Sequence, residues 1–261
     1  MLKRVLFITF ALITVFSFVT CNGNLAAAIA ESASSDSEEI VVVSQARPEH
    51  FGFIRNEGGS GIIITYKTVN ATTVVVPDRI ENLPVVAIMA GLFRNDSTVR
   101  SITLPATVTA VPAEAFRGCS SLSSITMPGV TEVGNSAFRG TNFSSLTLPA
   151  VITLGNNVFY DLSSLTNISL PSIQTIGQGS FQGCNNLTKV TFGNGLTTLG
   201  NNAFQGCINL SDMNVPASLT EFLSIDGWGY RAAADHFSGC QKLPLATRDQ
   251  LVAQGYGGRG F

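Results

Sequence analysis

Apolar and polar positions along this chain do not follow a helix or strand period for long; they follow a period of about 22 residues. An anchoring Phe stands at 93, 116, 138, 159, 181, 204 and 237, with successive gaps of 23, 22, 21, 22, 23 and 33 residues. Within each gap the same order recurs. A Leu-like position leads into a short apolar-polar-apolar run: Ile102-Thr103-Leu104, Ile125-Thr126-Met127, Leu146-Thr147-Leu148, Ile168-Ser169-Leu170, Val190-Thr191-Phe192 and Met213-Asn214-Val215. Alternation over three residues is too short for a lone strand, but copies stacked side by side bury one side and expose the other. Pro follows most of these runs, at 105, 128, 149, 171 and 216, and ends them because it has no N–H for a ladder.

A second apolar pair then recurs (Val108/Val111, Val130/Val133, Val151/Leu154, Ile173/Ile176, Leu196/Leu199), followed from the second copy on by Gly134, Gly155, Gly177 and Gly200. Glycine there predicts a place where a Cβ would clash. A turn such as Asn201-Asn202-Ala203 brings in the next Phe. A fixed period of this length is the mark of a solenoid, in which no unit buries its own apolar edge and stability comes from stacking.

The units resemble the BspA-like leucine-rich repeat family, whose pattern is Leu-x-x-Ile-x-Leu-Pro followed by Val-x-x-Ile-Gly-x-x-Ala-Phe-x-x-Cys. The resemblance runs from about Ile62 to the C-terminus. It implies an α+β repeat solenoid of leucine-rich-repeat type with short parallel strands. It also implies a surface protein of bacteria or some protozoa, several of which look like adhesins.

The flanks set the organisation. Residues 1–20 read as a signal peptide, with Lys3 and Arg4 before the uncharged run Val5 to Val19. Fifteen residues is short for a membrane span and suits a secretory apolar segment. Phe18-Val19-Thr20-Cys21 at the end of that run reads as a loose lipobox, making Cys21 the lipidation site. The small-x-small triplet Ala28-Ile29-Ala30 offers ordinary cleavage after residue 30 instead. Residues 21–48 read as a flexible tether, Ser/Asp/Glu-rich between Glu31 and Glu39. Phe51–Ile54 and Ile62–Tyr66 flank Gly-Gly-Ser-Gly, which predicts a hairpin cap over 49–66. The repeats take 67–243, and 244–261 form a C-terminal cap. In that cap Thr247–Gly255 reads as a helix, with capping-box spacing between Thr247 and Gln250 and a C-cap at Gly255.

Composition narrows the function. Only 12% of residues are charged and the formal net charge is −2; without Lys3 and Arg4 it becomes −4, far from a nucleic-acid footprint. Cys119, Cys184, Cys207 and Cys240 each stand three residues after an anchor Phe, where Thr141 and Leu162 stand in other copies. That slot predicts a column of buried free thiols. A bridge between Cys184 and Cys207 is the alternative, since neighbouring copies lie within reach. His50 and His236 lie at opposite ends of the array and read as surface or cap residues. Asp96, Glu114, Glu132, Asp161, Asp212 and Glu221 form no repeating carboxylate column of the kind a calcium array needs. No set of residues supports hydrolysis, transfer or redox chemistry, and no cofactor or metal site is expected.

The reading that follows is a non-enzymatic binding or adhesion protein, monomeric, on the cell surface or outer membrane, touching membrane only through a lipid anchor; secreted and periplasmic locations are the alternatives. Expected partners are a host extracellular-matrix protein, another bacterial surface protein or a glycan. A structural envelope protein without a ligand and an enzyme are the competing functions, and an ice or crystal binder ranks last. Seven or eight strands about 4.8 Å apart give a face on the order of 30 Å long. Its outward column includes Thr126, Thr147 and Thr191. Hot spots favour Trp, Tyr and Arg, and the insertion in the long last gap concentrates Trp228, Tyr230 and Arg231; these are the candidate anchors, the alternative being that Trp228 plugs the irregular last repeat.

Overall fold

Seven phenylalanine rings stack through the middle of the molecule. Neighbouring centroids from Phe93 through Phe116, Phe138, Phe159, Phe181 and Phe204 to Phe237 lie 4.9–5.6 Å apart, with interplanar angles of 3–25°. All seven are buried. Offset stacking at this distance adds to the large apolar area that each ring removes from water. The computed structural model describes residues 50–68, 70–223 and 235–257, all within one compact unit, Glu39–Phe261.

Two parallel ladders carry the repeats on either side of this stack. The first uses the apolar-polar-apolar runs and falls into two pieces. One piece is β3 (Thr73–Val75), β6 (Ser101–Thr103) and β8 (Ser124–Thr126); the other is β10 (Ser145–Thr147), β12 (Asn167–Leu170), β14 (Lys189–Phe192) and β16 (Asp212–Met213). The second ladder uses the second apolar pair and is continuous over six two-residue strands: β7 (Ala110–Val111), β9 (Glu132–Val133), β11 (Thr153–Leu154), β13 (Thr175–Ile176), β15 (Thr198–Leu199) and β17 (Glu221–Phe222). Both ladders are parallel and in register, Thr147 with Ser169 with Thr191 on one side and Leu154 with Ile176 with Leu199 on the other.

Between the ladders the chain passes through successive three-residue turns rather than helix, as in Arg117 N–H to Glu114 O (3.1 Å) and Cys119 N–H to Phe116 O (3.2 Å). Neighbouring turns bond to each other: Phe116 N–H donates to Ala137 O and Phe204 N–H to His236 O. The glycine column is required by close approach, since a Cβ on Gly177 would lie 2.5 Å from the carbonyl carbon of Gly155. Positive φ belongs to other columns, occupied by Glu114 and Asn157 as well as glycine.

At the N-terminal end β1 (Phe51–Arg55) and β2 (Ile62–Lys67) form the expected antiparallel hairpin, and β2 runs parallel to β5 (Leu83–Ile88), which also pairs with β4 (Arg79–Ile80). Lys67 of this hairpin reaches Asp96 in an ion pair largely shielded from solvent, with the ammonium over the Phe93 ring. At the other end stands the one helix among the described residues, α1 (Leu245–Ala253). It starts two residues earlier than the sequence pattern predicts. Pro244 holds the N-cap position without a side-chain bond, so the Thr247/Gln250 capping box does not form. The Gln250 side chain instead donates to Val215 O (2.8 Å), fastening the helix to the last repeat. Its end does follow the expected form: Gly255 has φ 98°, Gly255 N–H donates to Val252 O and Tyr256 N–H to Leu251 O, a Schellman arrangement.

Candidate binding face

In the first ladder the alternation places Ile102, Leu146, Ile168, Val190 and Met213 inward and buried, and Thr103, Thr126, Thr147, Ser169 and Thr191 outward. Thr126, Thr147 and Thr191 are exposed. These side chains are short and uncharged, and those within each piece of the ladder share one register. A shallow depression of about 200 Å³ lies over the second piece, lined by Ser145, Thr147, Asn167, Ser169, Lys189 and Thr191. The charged side chains at its end neutralise each other: Lys189 Nζ lies 2.7 Å from Asp212 Oδ2. Both are more than half exposed, so the pair contributes at most about 1 kcal/mol. Asn214 is exposed with the threonines, as expected, and its amide also bonds back to the neighbouring repeat. Its Oδ1 accepts from Phe192 N–H (2.8 Å) and its Nδ2 donates to Phe192 O (2.9 Å), replacing the rung that the two-residue β16 does not supply.

The face is not one sheet. Leu104 N–H donates to Thr126 O (2.8 Å) and Leu148 N–H to Ser169 O (3.0 Å), whereas the equivalent bond from Met127 to Thr147 is absent and β8 does not pair with β10. The cause is legible in the repeat length. Eight residues separate Phe116 from Ser124 and Phe159 from Asn167, but seven separate Phe138 from Ser145. The Leu position before the strand is filled by Phe143, buried and edge-on to Phe138 at 5.5 Å. A shortened connection and a larger side chain draw β10 out of line with β8. The inward Ile125 is left partly exposed, and a cleft of about 290 Å³ opens between Ile125, Met127, Leu148 and Val151.

The cysteine slot is a column of free buried thiols, with no Cys184–Cys207 bridge. It also does something the sequence pattern does not reveal. Each thiol donates to the carbonyl of the preceding anchor: Cys119 to Phe93 O, Cys184 to Phe159 O, Cys207 to Phe181 O and Cys240 to Phe204 O, at 2.9–3.1 Å. Thr141, in the same slot, donates to Phe138 O (2.7 Å). Burial pushes Cys119 and Cys184 up to about 12 and raises Cys207 well above an ordinary thiol. These are poor nucleophiles at neutral pH.

His236 is not a surface residue. It is buried in the position held by Ala115, Ala137, Val158, Ser180 and Ala203 in other repeats, one before the anchor Phe. Its Nε2 lies 3.3 Å from Leu199 O, and its ring stands edge-on to Phe222 and Tyr256 within the C-terminal cap. Tyr256 seals that end, and burial pushes its hydroxyl up to about 12. At the opposite end burial works to raise the Asp96 carboxyl, but hydrogen bonds from Lys67 and Thr98 outweigh it and hold the group below the usual carboxylate range. Among the described residues no three His, Cys, Asp or Glu side chains form a metal-binding group. No helix among the described residues is long and apolar enough to cross a membrane. Cys21 and the trio Trp228, Tyr230 and Arg231 lie outside the described residues.

Comparison with known proteins agrees with this geometry. Residues 86–210 match the model of the BspA type leucine rich repeat region in six copies. The crystal structure of a T. pallidum leucine rich repeat protein superposes with a TM-score of 0.72 at 28% identity, covering 82% of this chain and 98% of that one. A leucine-rich repeat protein from Bacteroides ovatus shares the fold at 24% identity and a TM-score of 0.50, covering 66% of this chain and 54% of that one. No curated protein matches by sequence. The stacked phenylalanines, the glycine column and the six matched copies make residues 86–210 a region of BspA-type leucine-rich repeats.

Proposed function

We propose that this chain is a non-enzymatic binding module displayed outside the cell, anchored by a lipid on Cys21, which uses its first ladder to hold a protein or glycan partner. A host matrix protein, another bacterial surface protein or a glycan fits that face. The observation that supports this reading is the exposed, uncharged column Thr126, Thr147 and Thr191, backed at each repeat by a buried apolar residue. Short hydroxyl side chains on a rigid backing lose little entropy when a partner bonds to them. The face has area but no aromatic anchor, and the insertion bearing Trp228, Tyr230 and Arg231 supplies one in this reading. Surface binding to immobilised matrix proteins and glycans tests it. Thr147→Arg and Thr191→Arg are expected to weaken the interaction at least tenfold with the melting temperature unchanged, and Trp228→Ala to do the same. Full binding by both arginine variants would rule out the face; early melting of Trp228→Ala would give the insertion a structural role instead.

A further inference from the structure

The break between β8 and β10 is a site of a different kind from the threonine column around it. A parallel ladder interrupted in mid-array leaves main-chain groups of the two facing edges without their ladder partners, and the Met127–Thr147 bond is one that fails to form. Edges of this type take up another strand readily. The walls are apolar, with Ile125, Met127, Leu148 and Val151 inside, Thr126 and Thr147 on the rim and no charged residue lining the cleft. At about 290 Å³ it falls at the lower limit of small-molecule pockets, room for one large side chain and little more. It is also held open by the fold. Behind it β7, β9 and β11 remain paired and the Phe116 and Phe138 rings stay 5.5 Å apart, so the cleft cannot close by sliding the repeats together.

We infer that this cleft docks an extended, uncharged segment of a protein partner. The segment inserts one apolar side chain between Ile125 and Leu148 and lays its main chain along the unpaired edges of β8 and β10. Alternation of polar and apolar residues is the chemistry that matches both the threonine rim and the apolar floor. The proposal rests on the reading of the first ladder as the binding face, and it narrows the partner from protein or glycan to a protein strand.

The test is titration of the isotopically labelled full chain with a capped peptide, acetyl-Ser-Ser-Leu-Thr-Leu-Pro-amide, which carries the alternation of β10 itself. A control peptide has both leucines replaced by Asp. Expected are amide shifts concentrated at Met127 and Thr147, and at least tenfold weaker binding of the Asp peptide. Ala150→Trp fills the cleft and should weaken the leucine peptide by a similar factor, while Asp249→Asn, on the exposed side of α1, leaves it unchanged. If Ala150→Trp disturbs folding, a variant with Gly inserted after Asn142 and Phe143→Leu closes the break instead and should lose the peptide too. Absence of binding to the wild type, equal binding of the Asp peptide, or binding that survives closure overturns the proposal, as does concentration-dependent pairing of the chain with itself through the same amides. If these fail while Thr191→Arg still abolishes matrix binding, the cleft is wrong and the binding face stands.

Discussion

The two ladders of this solenoid meet the same irregularity and respond differently. Both pass through the repeat that is one residue short, between Phe138 and Phe159. The second ladder crosses it without a gap, with Glu132 paired to Thr153 and Val133 to Leu154. The first ladder breaks there. The missing residue lies between Phe138 and Ser145, upstream of the first ladder's strand and well before β11, so the error falls entirely on one side. The stacked rings then restore the phase: Phe138 and Phe159 are 5.5 Å apart, within the 4.9–5.6 Å range of the whole stack. Register in this molecule is set by the ring stack and the glycine column, and the strands of the first ladder follow when their connection has the right length.

If the ring stack fixes the phase, removing one ring should cost more than any change on the face. Phe138→Ala is expected to destabilise the protein by about 3–5 kcal/mol. It contacts Phe116 and Phe159 by stacking and Phe143 edge-on, so its loss leaves a cavity with rigid walls. Urea unfolding measures the loss. A cost below about 1 kcal/mol would show that the strands, not the rings, hold the repeats in step.

The thiol column sharpens the same comparison, because it runs beside the rings and crosses repeats by donating to their carbonyls. Burial pushes the thiols of folded Cys119 and Cys184 up to about 12, above the ordinary 9.0. A raised folded value means that the stabilisation is complete below pH 9 and is lost as pH rises from 9 toward 12, while the unfolded thiols ionise. At pH 10.5 each thiol should cost about 2 kcal/mol. Urea midpoints at pH 8 and 10.5, compared between wild type and Cys184→Thr, isolate one thiol's share, since Thr141 already occupies this slot in another repeat. An unchanged alkaline slope in the variant would show that Cys184 is solvated.

Much of this was legible in the sequence because repetition supplies its own alignment. The anchor Phe, the inward apolar column and the glycine column each recur often enough to be read directly. What escaped has two sources. The break at β8 and β10 was visible as a gap of 21, but its side of the array follows only from where the residue is missing and from Phe143 replacing Leu. His236 likewise stands in a position otherwise held by Ala, Val or Ser; aligning on Phe237 rather than on histidine chemistry would have placed it in the core. Contacts outside the period had no such signal. The Lys67–Asp96 pair joins a cap residue to the first turn, and Gln250 reaches back to Val215; nothing recurs to predict either.

The smallest effect is the most direct test of the comparison. Restoring the missing residue by inserting Gly after Asn142, together with Phe143→Leu, should bring β10 into register with β8 and join the pieces of the first ladder. The gain is the Met127–Thr147 hydrogen bond and its neighbour, about 0.5–1.5 kcal/mol each, offset by about 1 kcal/mol for the smaller apolar area that Leu buries at position 143. The net change in stability is therefore expected to be within about 1 kcal/mol of zero. Hydrogen exchange separates the contributions where the melting temperature does not. The Met127 amide, unpaired in the wild type, should become protected to the level of Leu104 and Leu148, which occupy the same place in intact parts of the ladder. Protection elsewhere should not move, because β9 and β11 are already paired. If Met127 stays in fast exchange in a folded variant, connection length is not what breaks the ladder. The next suspect is then the bulk of Met127 itself, which stands where Leu104, Leu148 and Leu170 stand in the neighbouring repeats.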